Sequence, residues 1–241
     1  MKKRKIILVI SLFALFVIMV MVYLFYNKNA NNDKKIDIDA TENTNETNPI
    51  DYSKEITKLK EKYNNDDVVG ILSFDNTDYS APIMQGEDNE YYLNHTPDKE
   101  DNYMGSIYLD YRVDIDNSKK LLIFGHNSSR VDMPFKILEN YYDKNYYDDH
   151  KYIYVTTNNV KKKYEVFSVF VEYSDFTYMN INFANDSDYL KHLNKLKSKS
   201  MYDTNVDVSA DDEILLLQTC STHKDYAKYD KKYLLIIGKR V

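Results

Sequence analysis

The sequence is poor in cysteine, glycine and proline and lacks tryptophan: its 241 residues include one Cys, five Gly, four Pro and no Trp. One cysteine cannot form a disulfide within the chain. Five glycines leave little room for a glycine-rich phosphate loop, and no internal repeat is present. The formal net charge of -6 argues against nucleic-acid binding. The large side chains are mainly 24 Tyr and 10 Phe, a composition compatible with a β-rich domain.

The first 26 residues predict a membrane anchor. Residues 2–5 are all positively charged, and residues 6–26 contain no charge. At about 1.5 Å per residue, a helix of that length crosses a bilayer core of roughly 30 Å. Flanking Lys and Arg set the orientation, so we expect a single-pass protein with a cytoplasmic N-terminus and an extracellular domain. A cleaved signal peptide is the alternative, disfavoured because its apolar region is about 7–15 residues long and ends in small residues.

Residues 27–50 contain almost nothing to bury and predict a flexible stalk. The remainder, residues 51–241, is long enough for one domain with its own core. We therefore expect a basic tail at residues 1–5, an anchor at 6–26, a stalk at 27–50 and one folded domain at 51–241.

The folded domain contains seven short runs typical of β-strands. They lie at residues 68–74, 106–110, 120–124, 152–157, 163–173, 213–219 and 233–238. Seven strands with few helices between them predict a closed or nearly closed antiparallel barrel.

Two segments of the domain have helical periodicity. Ser53 is a candidate N-cap for the first, and Asp186 or Ser187 for the second. The apolar positions at helical spacing are Ile56, Leu59 and Tyr63 in the first segment and Tyr189, Leu193 and Leu196 in the second. These stripes predict core packing rather than a cofactor site.

The single cysteine, Cys220, follows an apolar run at residues 214–217 and then Gln218 and Thr219. It is either an inert buried thiol or a working nucleophile. Chains outside the cytoplasm usually fill with disulfides or lose their thiols, so one retained thiol favours chemistry.

A histidine that could serve this thiol is His126, which ends an apolar strand just after Gly125. Such a position predicts a barrel rim open to solvent. A lone histidine there is more often structural, but a thiol needs a basic or cationic neighbour to ionise near neutral pH. The remaining histidines are most simply solvated surface residues: His95, His150, His192 and His223.

Several ordered motifs resemble class B sortases, and the similarity extends from about residue 52 to the C-terminus. The motifs are QGEDNEYYLNH (85–95), GSIYLDYR (105–112), FGHN (124–127), MPF (133–135), NF (182–183), SDY (187–189), KS (199–200) and LQTC (217–220). Their order and spacing make the resemblance specific.

The resemblance implies an eight-stranded β-barrel with an N-terminal helix and one helix inserted before the catalytic strand. That family consists of membrane-anchored cysteine transpeptidases of Gram-positive bacteria. They cleave a C-terminal sorting signal of a surface protein at a Thr carbonyl through a Cys thioester. The acyl group then passes to an amine of a peptidoglycan precursor or a pilin.

The resemblance also implies roles for individual residues. Cys220 is the nucleophile and His126 the general acid and base, with no cofactor and no metal. The positions that resemble the family's substrate groove are Asn89, Leu93, Tyr178, Met179 and Gln218.

Two positions depart from the family pattern. Gln218 replaces a small hydroxyl residue two positions before the nucleophile, so the groove is expected to accept a different signal. The arginine that the family places at the start of the last strand is missing: Tyr233 occupies its position and Lys232 precedes it. A lysine supplies charge without the planar fork of a guanidinium, and a tyrosine donates one hydrogen bond. Either a lysine or Arg130 folds back into the site, or the enzyme is slow.

Two classes of function therefore stay open. The first is an active cysteine transpeptidase. The second is a sortase-fold peptide-binding protein whose catalysis is impaired by the missing arginine, in which the lysines of the late loop are merely solvated. A papain-type hydrolase is a poorer third, since its Cys precedes its His, the reverse of the order here.

Overall fold

The structure, a computed structural model, describes residues 51–241. The predicted tail, anchor and stalk at residues 1–50 lie outside the described residues. Eight strands form the body of the domain: β1 (Val68–Phe74), β2 (Ser80–Met84), β3 (Ile107–Leu109), β4 (Lys120–Phe124), β5 (Tyr152–Thr156), β6 (Lys161–Glu172), β7 (Ile214–Cys220) and β8 (Tyr233–Arg240).

The strands close into a barrel in the order β1-β2-β3-β4-β7-β8-β6-β5, with β5 pairing back onto β1. The eight-stranded barrel implied by the family resemblance is confirmed. The expectation of a purely antiparallel barrel is wrong, because β2 pairs with β3 and β4 pairs with β7 in parallel. The seven-run count missed β2, which contains Pro82, a residue that cannot donate to a strand ladder.

Within residues 51–241, three α-helices accompany the barrel: α1 (Ser53–Tyr63), α2 (Lys144–Asp149) and α3 (Asp186–Ser198). Short 3-10 turns lie at Tyr91–Leu93, Lys136–Tyr142, Phe176–Met179 and Lys224–Tyr226. Helices α1 and α3 confirm the N-terminal helix and the helix inserted before β7, whereas α2 was not predicted.

Both predicted helix caps are wrong by one or two positions. Ser53 is already helical, and its hydroxyl donates to Asp51 at 2.5 Å instead of capping the helix. Helix α3 is capped by Asn185, whose side chain accepts from the backbone N–H of Asp188 at 2.9 Å. Asn, Asp and Ser all serve as N-caps, so a run of such residues does not by itself select one of them.

No helix among residues 51–241 is long and apolar enough to cross a membrane. Helix α3, with 13 residues, falls short of the roughly 20 that a bilayer requires. The single-pass membrane localisation predicted from the sequence is corrected on this finding. The segment on which that prediction rested, residues 6–26, lies outside the described part of the chain.

Buried apolar side chains form two groups. The barrel interior includes Leu72, Ile83, Leu215, Leu217 and Ile236. The outer layer lies between the outside of the barrel and α3, and consists of Phe167, Phe170, Tyr178, Tyr189, Leu193, Leu196, Val206, Ile214, Leu216, Leu235 and Ile237.

Strand β7 contributes to both groups, because successive side chains of a strand point to opposite faces. Leu215 and Leu217 face the barrel interior, while Ile214 and Leu216 face the outer layer. Both faces are covered, which is why the strand is a continuous apolar run. The same alternation puts Cys220 on the outer face at the end of the strand.

Candidate active site

Two parallel strands bring Cys220 and His126 to the same rim of the barrel. β4 and β7 pair in parallel, with Phe124 opposite Gln218. Two residues beyond these partners are His126 and Cys220, respectively. Because parallel neighbours advance in step, residues 126 and 220 emerge at the same edge of the barrel.

Hydrogen bonds fix the backbone around this pair. The Thr219 hydroxyl donates to the Gly125 carbonyl at 2.7 Å, and the Gly125 N–H donates to the Gln218 carbonyl at 3.3 Å. The side-chain amide of Asn127 donates to the Cys220 carbonyl at 3.0 Å. The residues on either side of His126 are therefore bound directly to residues 218–220.

The Cys220 thiol is free, and the residue is exposed at the rim. Neighbouring protein atoms still displace water from the sulfur, and this burial raises the pKa of the Cys220 thiol. The charge of Lys232 acts in the opposite direction without outweighing it. Near neutral pH the resting thiol is protonated, so nucleophilic attack needs a base.

The His126 ring is oriented by a backbone carbonyl. Its Nε2 and the Leu93 carbonyl are 2.8 Å apart, and since a carbonyl only accepts, Nε2 carries the proton. The lone pair of the neutral ring is then on Nδ1. No direct hydrogen bond between His126 and Cys220 is formed among residues 51–241, so proton transfer awaits a rearrangement or a bound substrate.

Gly105 leaves room for the Leu93 carbonyl that orients His126. Its φ of 59° lies in the left-handed region, and a Cβ there would be 2.4 Å from the Leu93 carbonyl oxygen. The next residue, Ser106, donates its N–H to the Tyr92 carbonyl at 2.9 Å. A side chain at position 105 would push Leu93 away from His126.

Tyr233 lies directly opposite Cys220 in the antiparallel pairing of β7 with β8. Paired residues of antiparallel strands share a face, so the phenol and the thiol are on the same side of the sheet. Burial raises the pKa of Tyr233, and the nearby Cys220 adds to the shift. The Lys232 ammonium donates to the Tyr229 carbonyl at 2.9 Å.

None of the arginines in residues 51–241 replaces the missing one opposite Cys220. Arg112 is bound to Asp110 through contacts of 2.8 and 2.7 Å. Arg240 is bound to Glu213 at 2.7 Å. Arg130 is exposed in the loop that follows His126.

The 3-10 turn Phe176–Met179 covers the outer face beside Cys220. The Phe176 ring meets Tyr233 edge-on, with ring centroids 6.0 Å apart. The Tyr178 hydroxyl donates to the side-chain carbonyl of Gln218 at 2.8 Å. The structure thus places Tyr178 against Gln218 and Phe176 against Tyr233, beside and opposite Cys220, and Met179 ends the same turn.

Asn89 is engaged by a neighbouring network. Its amide donates to the Asp110 carboxylate at 3.1 Å and accepts from the Tyr111 N–H at 3.1 Å. Arg112 links this network to the Phe176–Met179 turn through a long contact of 3.4 Å to the Met179 carbonyl. Asn89 is therefore connected to that turn through Asp110 and Arg112.

His192 corrects a prediction made from the sequence. It was expected to be solvated, but it is 8% exposed and its Nε2 lies 3.0 Å from the Lys120 ammonium. The other three histidines are half-buried; His95 stacks on Tyr91, for example, with centroids 4.0 Å apart. Among residues 51–241, no group of His, Cys, Asp and Glu side chains is arranged to hold a metal ion.

Tyr108 lies close enough to Cys220 for the two groups to interact electrostatically, and the sequence analysis did not name it as a site residue. It lies on β3 opposite Phe124, and burial raises the pKa of its hydroxyl to about 12, with smaller contributions from Asp110 and Cys220. A tyrosine within an apolar strand is usually a core residue, so only its place in the GSIYLDYR motif could have drawn attention to it.

Comparison with known proteins first gives the class. A model of the sortase domain matches residues 72–241, and the chain therefore belongs to the sortase family.

Individual relatives then give the branch. The chain is 36% identical to sortase B of Listeria monocytogenes over 178 residues, covering 73% of this chain and 71% of that protein. It is 31% identical to sortase B of Staphylococcus aureus over 176 residues, covering 73% of this chain and 70% of that protein. The structure of the Staphylococcus aureus sortase B–substrate complex matches with a TM-score of 0.70 and 29% identity, over 78% of this chain and 85% of that one. The class B resemblance is confirmed, and the chain is a transpeptidase of the sortase type.

Proposed function

We propose that residues 51–241 form a catalytic domain that cleaves a C-terminal sorting signal at a Thr carbonyl and transfers the acyl group to an amine. The observation that carries this proposal is the parallel register of β4 and β7, which leads His126 and Cys220 to one rim. The donor is a surface protein bearing the signal. The acceptor is an amine of a peptidoglycan precursor or a pilin.

The reaction has two half-steps. The Cys220 sulfur attacks the Thr carbonyl carbon while His126 accepts the thiol proton; the C–N bond then breaks and His126 returns that proton to the leaving amine. In the second half-step the incoming amine attacks the thioester and loses a proton to His126. The C–S bond breaks, and the thiolate takes the proton back. The raised pKa of Cys220 supports a resting thiol that is deprotonated only in the complex.

Tyr233 and Lys232 divide the task of the missing arginine. The Tyr233 hydroxyl is on the same face as the thiol and donates a hydrogen bond to the oxyanion. The Lys232 charge lowers the pKa of Cys220 against the effect of burial. A lysine and a phenol together supply the charge and the directed donor that one guanidinium would combine.

The groove beside the thiol receives the peptide. Leu93, Tyr178, Met179 and Gln218 form its walls, and Asn89 supports it through Asp110. The side-chain carbonyl of Gln218 accepts a hydrogen bond from the Tyr178 hydroxyl. Its amide N–H groups are thereby left to donate to a peptide carbonyl or side chain, which favours a signal with an acceptor at that position.

Two observations favour a second function, that of a peptide-binding protein without turnover. The thiol has a raised pKa, and no arginine among residues 51–241 stands opposite it. Such a protein would hold a sorting peptide in the groove but would not acylate Cys220.

Mass spectrometry separates the two functions. The protein is incubated with a library of Thr-containing peptides, and we expect a thioester adduct on Cys220 and release of the C-terminal fragment. Cys220→Ala should fold normally and form no adduct. His126→Ala should still react with small thiol reagents but lose transpeptidation. Bound peptide without adduct in the wild type would establish the second function.

A further inference from the structure

Lys120 is buried in the outer layer without a carboxylate partner. It is the first residue of β4, lies opposite Ile214 of β7 and is 2% exposed. It makes no ion pair within residues 51–241. Burying an ammonium without a counter-ion opposes folding, so the contacts that compensate for it show what the residue holds in place.

The compensating contacts are made to one backbone segment and one helix. The ammonium donates to the carbonyls of Tyr178 at 2.5 Å and Asn180 at 2.8 Å, and to Nε2 of His192 at 3.0 Å. These three acceptors match the three N–H groups of the ammonium. The two carbonyls flank Met179, so the lysine fixes the backbone on both sides of a groove residue.

The same segment reaches the reacting end of the groove. Tyr178 is bound to Gln218 through its hydroxyl, two residues before Cys220. Phe176 contacts Tyr233, the residue opposite the thiol. A shift of the backbone at residues 178–180 would therefore move the wall against which the peptide lies.

Burial without a counter-ion shifts the charge states of Lys120 and of His192. Burial lowers the pKa of Lys120 to about 7, and the charge of Arg112 contributes in the same direction. Burial also lowers the pKa of His192 to about 3, followed by the charges of Lys120 and Lys195. His192 is therefore neutral near pH 7 and can accept the hydrogen bond from Lys120.

Building on the proposed function, we propose that Lys120 is a positioning residue for the peptide substrate. By binding the carbonyls of Tyr178 and Asn180, it fixes the wall of the groove and so governs KM rather than the chemical step at Cys220.

The test compares Lys120→Met with Lys162→Met. Lys162 is also 2% exposed, and it also donates to two carbonyls. Its partners are the carbonyls of residues 115 and 116 and the Glu213 carboxylate, all away from the groove. For a Thr-containing peptide that the wild type cleaves, Lys120→Met should raise KM about ten-fold and leave kcat within about two-fold. Alkylation of Cys220 by iodoacetamide should not change. Lys162→Met should leave KM unchanged.

Hydrogen exchange gives a readout that needs no turnover. Amides at residues 176–183 should exchange about ten-fold faster in Lys120→Met and at the wild-type rate in Lys162→Met. If the wild type neither cleaves a peptide nor acylates Cys220, the proposed function fails, while unchanged exchange at these amides would separately overturn the role of Lys120. A KM equal to that of the wild type, or an equal rise in KM for Lys162→Met, would also overturn it. If Lys120→Met does not fold, His192→Ala removes one acceptor and should give a smaller rise in KM at constant kcat; an unchanged KM there overturns the role.

Discussion

The barrel interior and the outer layer each contain one buried lysine, and the two lysines have different partners. Lys162 forms an ion pair with Glu213 at 2.8 Å. Within residues 51–241, Lys120 donates hydrogen bonds only to neutral acceptors, two carbonyls and an imidazole. Two lysines with the same exposed fraction thus have different roles. Lys162 belongs to a charged network in the barrel interior, and Lys120 holds the groove wall in the outer layer. Burial alone does not separate a structural lysine from one that serves a site; the partners do.

The interior lysine belongs to a network that keeps a carboxylate charged. Burial alone would raise the pKa of Glu213, but hydrogen bonds from Lys162, Tyr164 and Arg240 outweigh it and lower the pKa. Removing the Glu213 carboxylate leaves the charges of Lys162 and Arg240 without a counter-ion.

The largest expected effect tests that network. Glu213→Gln should lower the free energy of unfolding by about 3–5 kcal/mol, because Lys162 then remains buried without its counter-charge. Urea denaturation measures the change. Asp207→Asn, at an exposed carboxylate paired with Lys197, is the control and should change nothing measurable. If Glu213→Gln also raised the KM for the peptide, the barrel interior would influence the groove, and the separation of roles between Lys162 and Lys120 would be wrong.

The next effect concerns the outer face at the thiol. Tyr233→Phe should slow acylation of Cys220 by about 10²–10³ without changing peptide affinity, since an oxyanion donor acts only as charge develops. Single-turnover mass spectrometry measures the rate. Tyr233→Arg should raise activity above the wild type.

Lys232→Ala provides the contrast to this change. It should raise the pKa of the Cys220 thiol, seen as a shift of the alkylation rate to higher pH, because Lys232 lowers that pKa in the wild type. An acylation rate that survives Tyr233→Phe but collapses in Lys232→Ala would move the oxyanion role to the lysine.

A smaller effect distinguishes the outer lysine through pH. Lys120 titrates near 7 when folded and near 10.4 when unfolded, so between these values the unfolded state binds more protons and stability rises with pH. The contribution is up to about 1.4 kcal/mol per pH unit. It is absent in Lys120→Met, so the stability of the wild type relative to that variant should increase between about pH 7 and 10. Neighbouring Arg112 and His192 keep their charge states across this range.

Urea denaturation of both proteins at several pH values measures the difference. Parallel stability curves would show that Lys120 has an ordinary pKa, and the contrast with the barrel interior would then rest on hydrogen bonds alone.

The smallest effect tests the helix that covers the outer layer. Asn185→Ala should lower the free energy of unfolding by about 1 kcal/mol, because the cap on the Asp188 N–H is lost. Ser187→Ala, at a position predicted as a possible cap but lying inside the helix, is the control for thermal denaturation. A larger loss for Ser187→Ala would restore the cap predicted from the sequence.

The strands of the barrel could be predicted because most are short apolar runs, but their pairing could not. Whether β7 runs parallel to β4 depends on partners that are distant in sequence, and local patterns do not carry that information. β2 was missed because Pro82 interrupts its pattern. The family motifs predicted Cys220 and His126 as the catalytic pair, while the shared register that leads both to one rim became visible only in the sheet.

The sequence contained a pattern that indicates the burial of His192, but His192 was predicted to be solvated. Tyr189, His192, Leu193 and Leu196 follow the i, i+3, i+4, i+7 spacing of one helix face, so its burial could have been predicted. The charged neighbour Lys191 suggested exposure instead. Lys120 had no comparable signal, since a charged residue at the start of a strand normally reaches solvent, and only the segment at Tyr178 explains its burial.

The parallel pairing of β4 and β7 also has a consequence for folding. His126 and Cys220 are contributed by parts of the chain whose pairing is long-range, and β7 occupies the place between β4 and β8. Of the eight described strands, β7 and β8 are the last to emerge during synthesis, and they complete the ring. Ring closure and assembly of the thiol–imidazole pair are therefore one slow, non-local event. A chain that ends before β7 carries the histidine without its thiol, so we expect such a fragment neither to close the barrel nor to form a thioester.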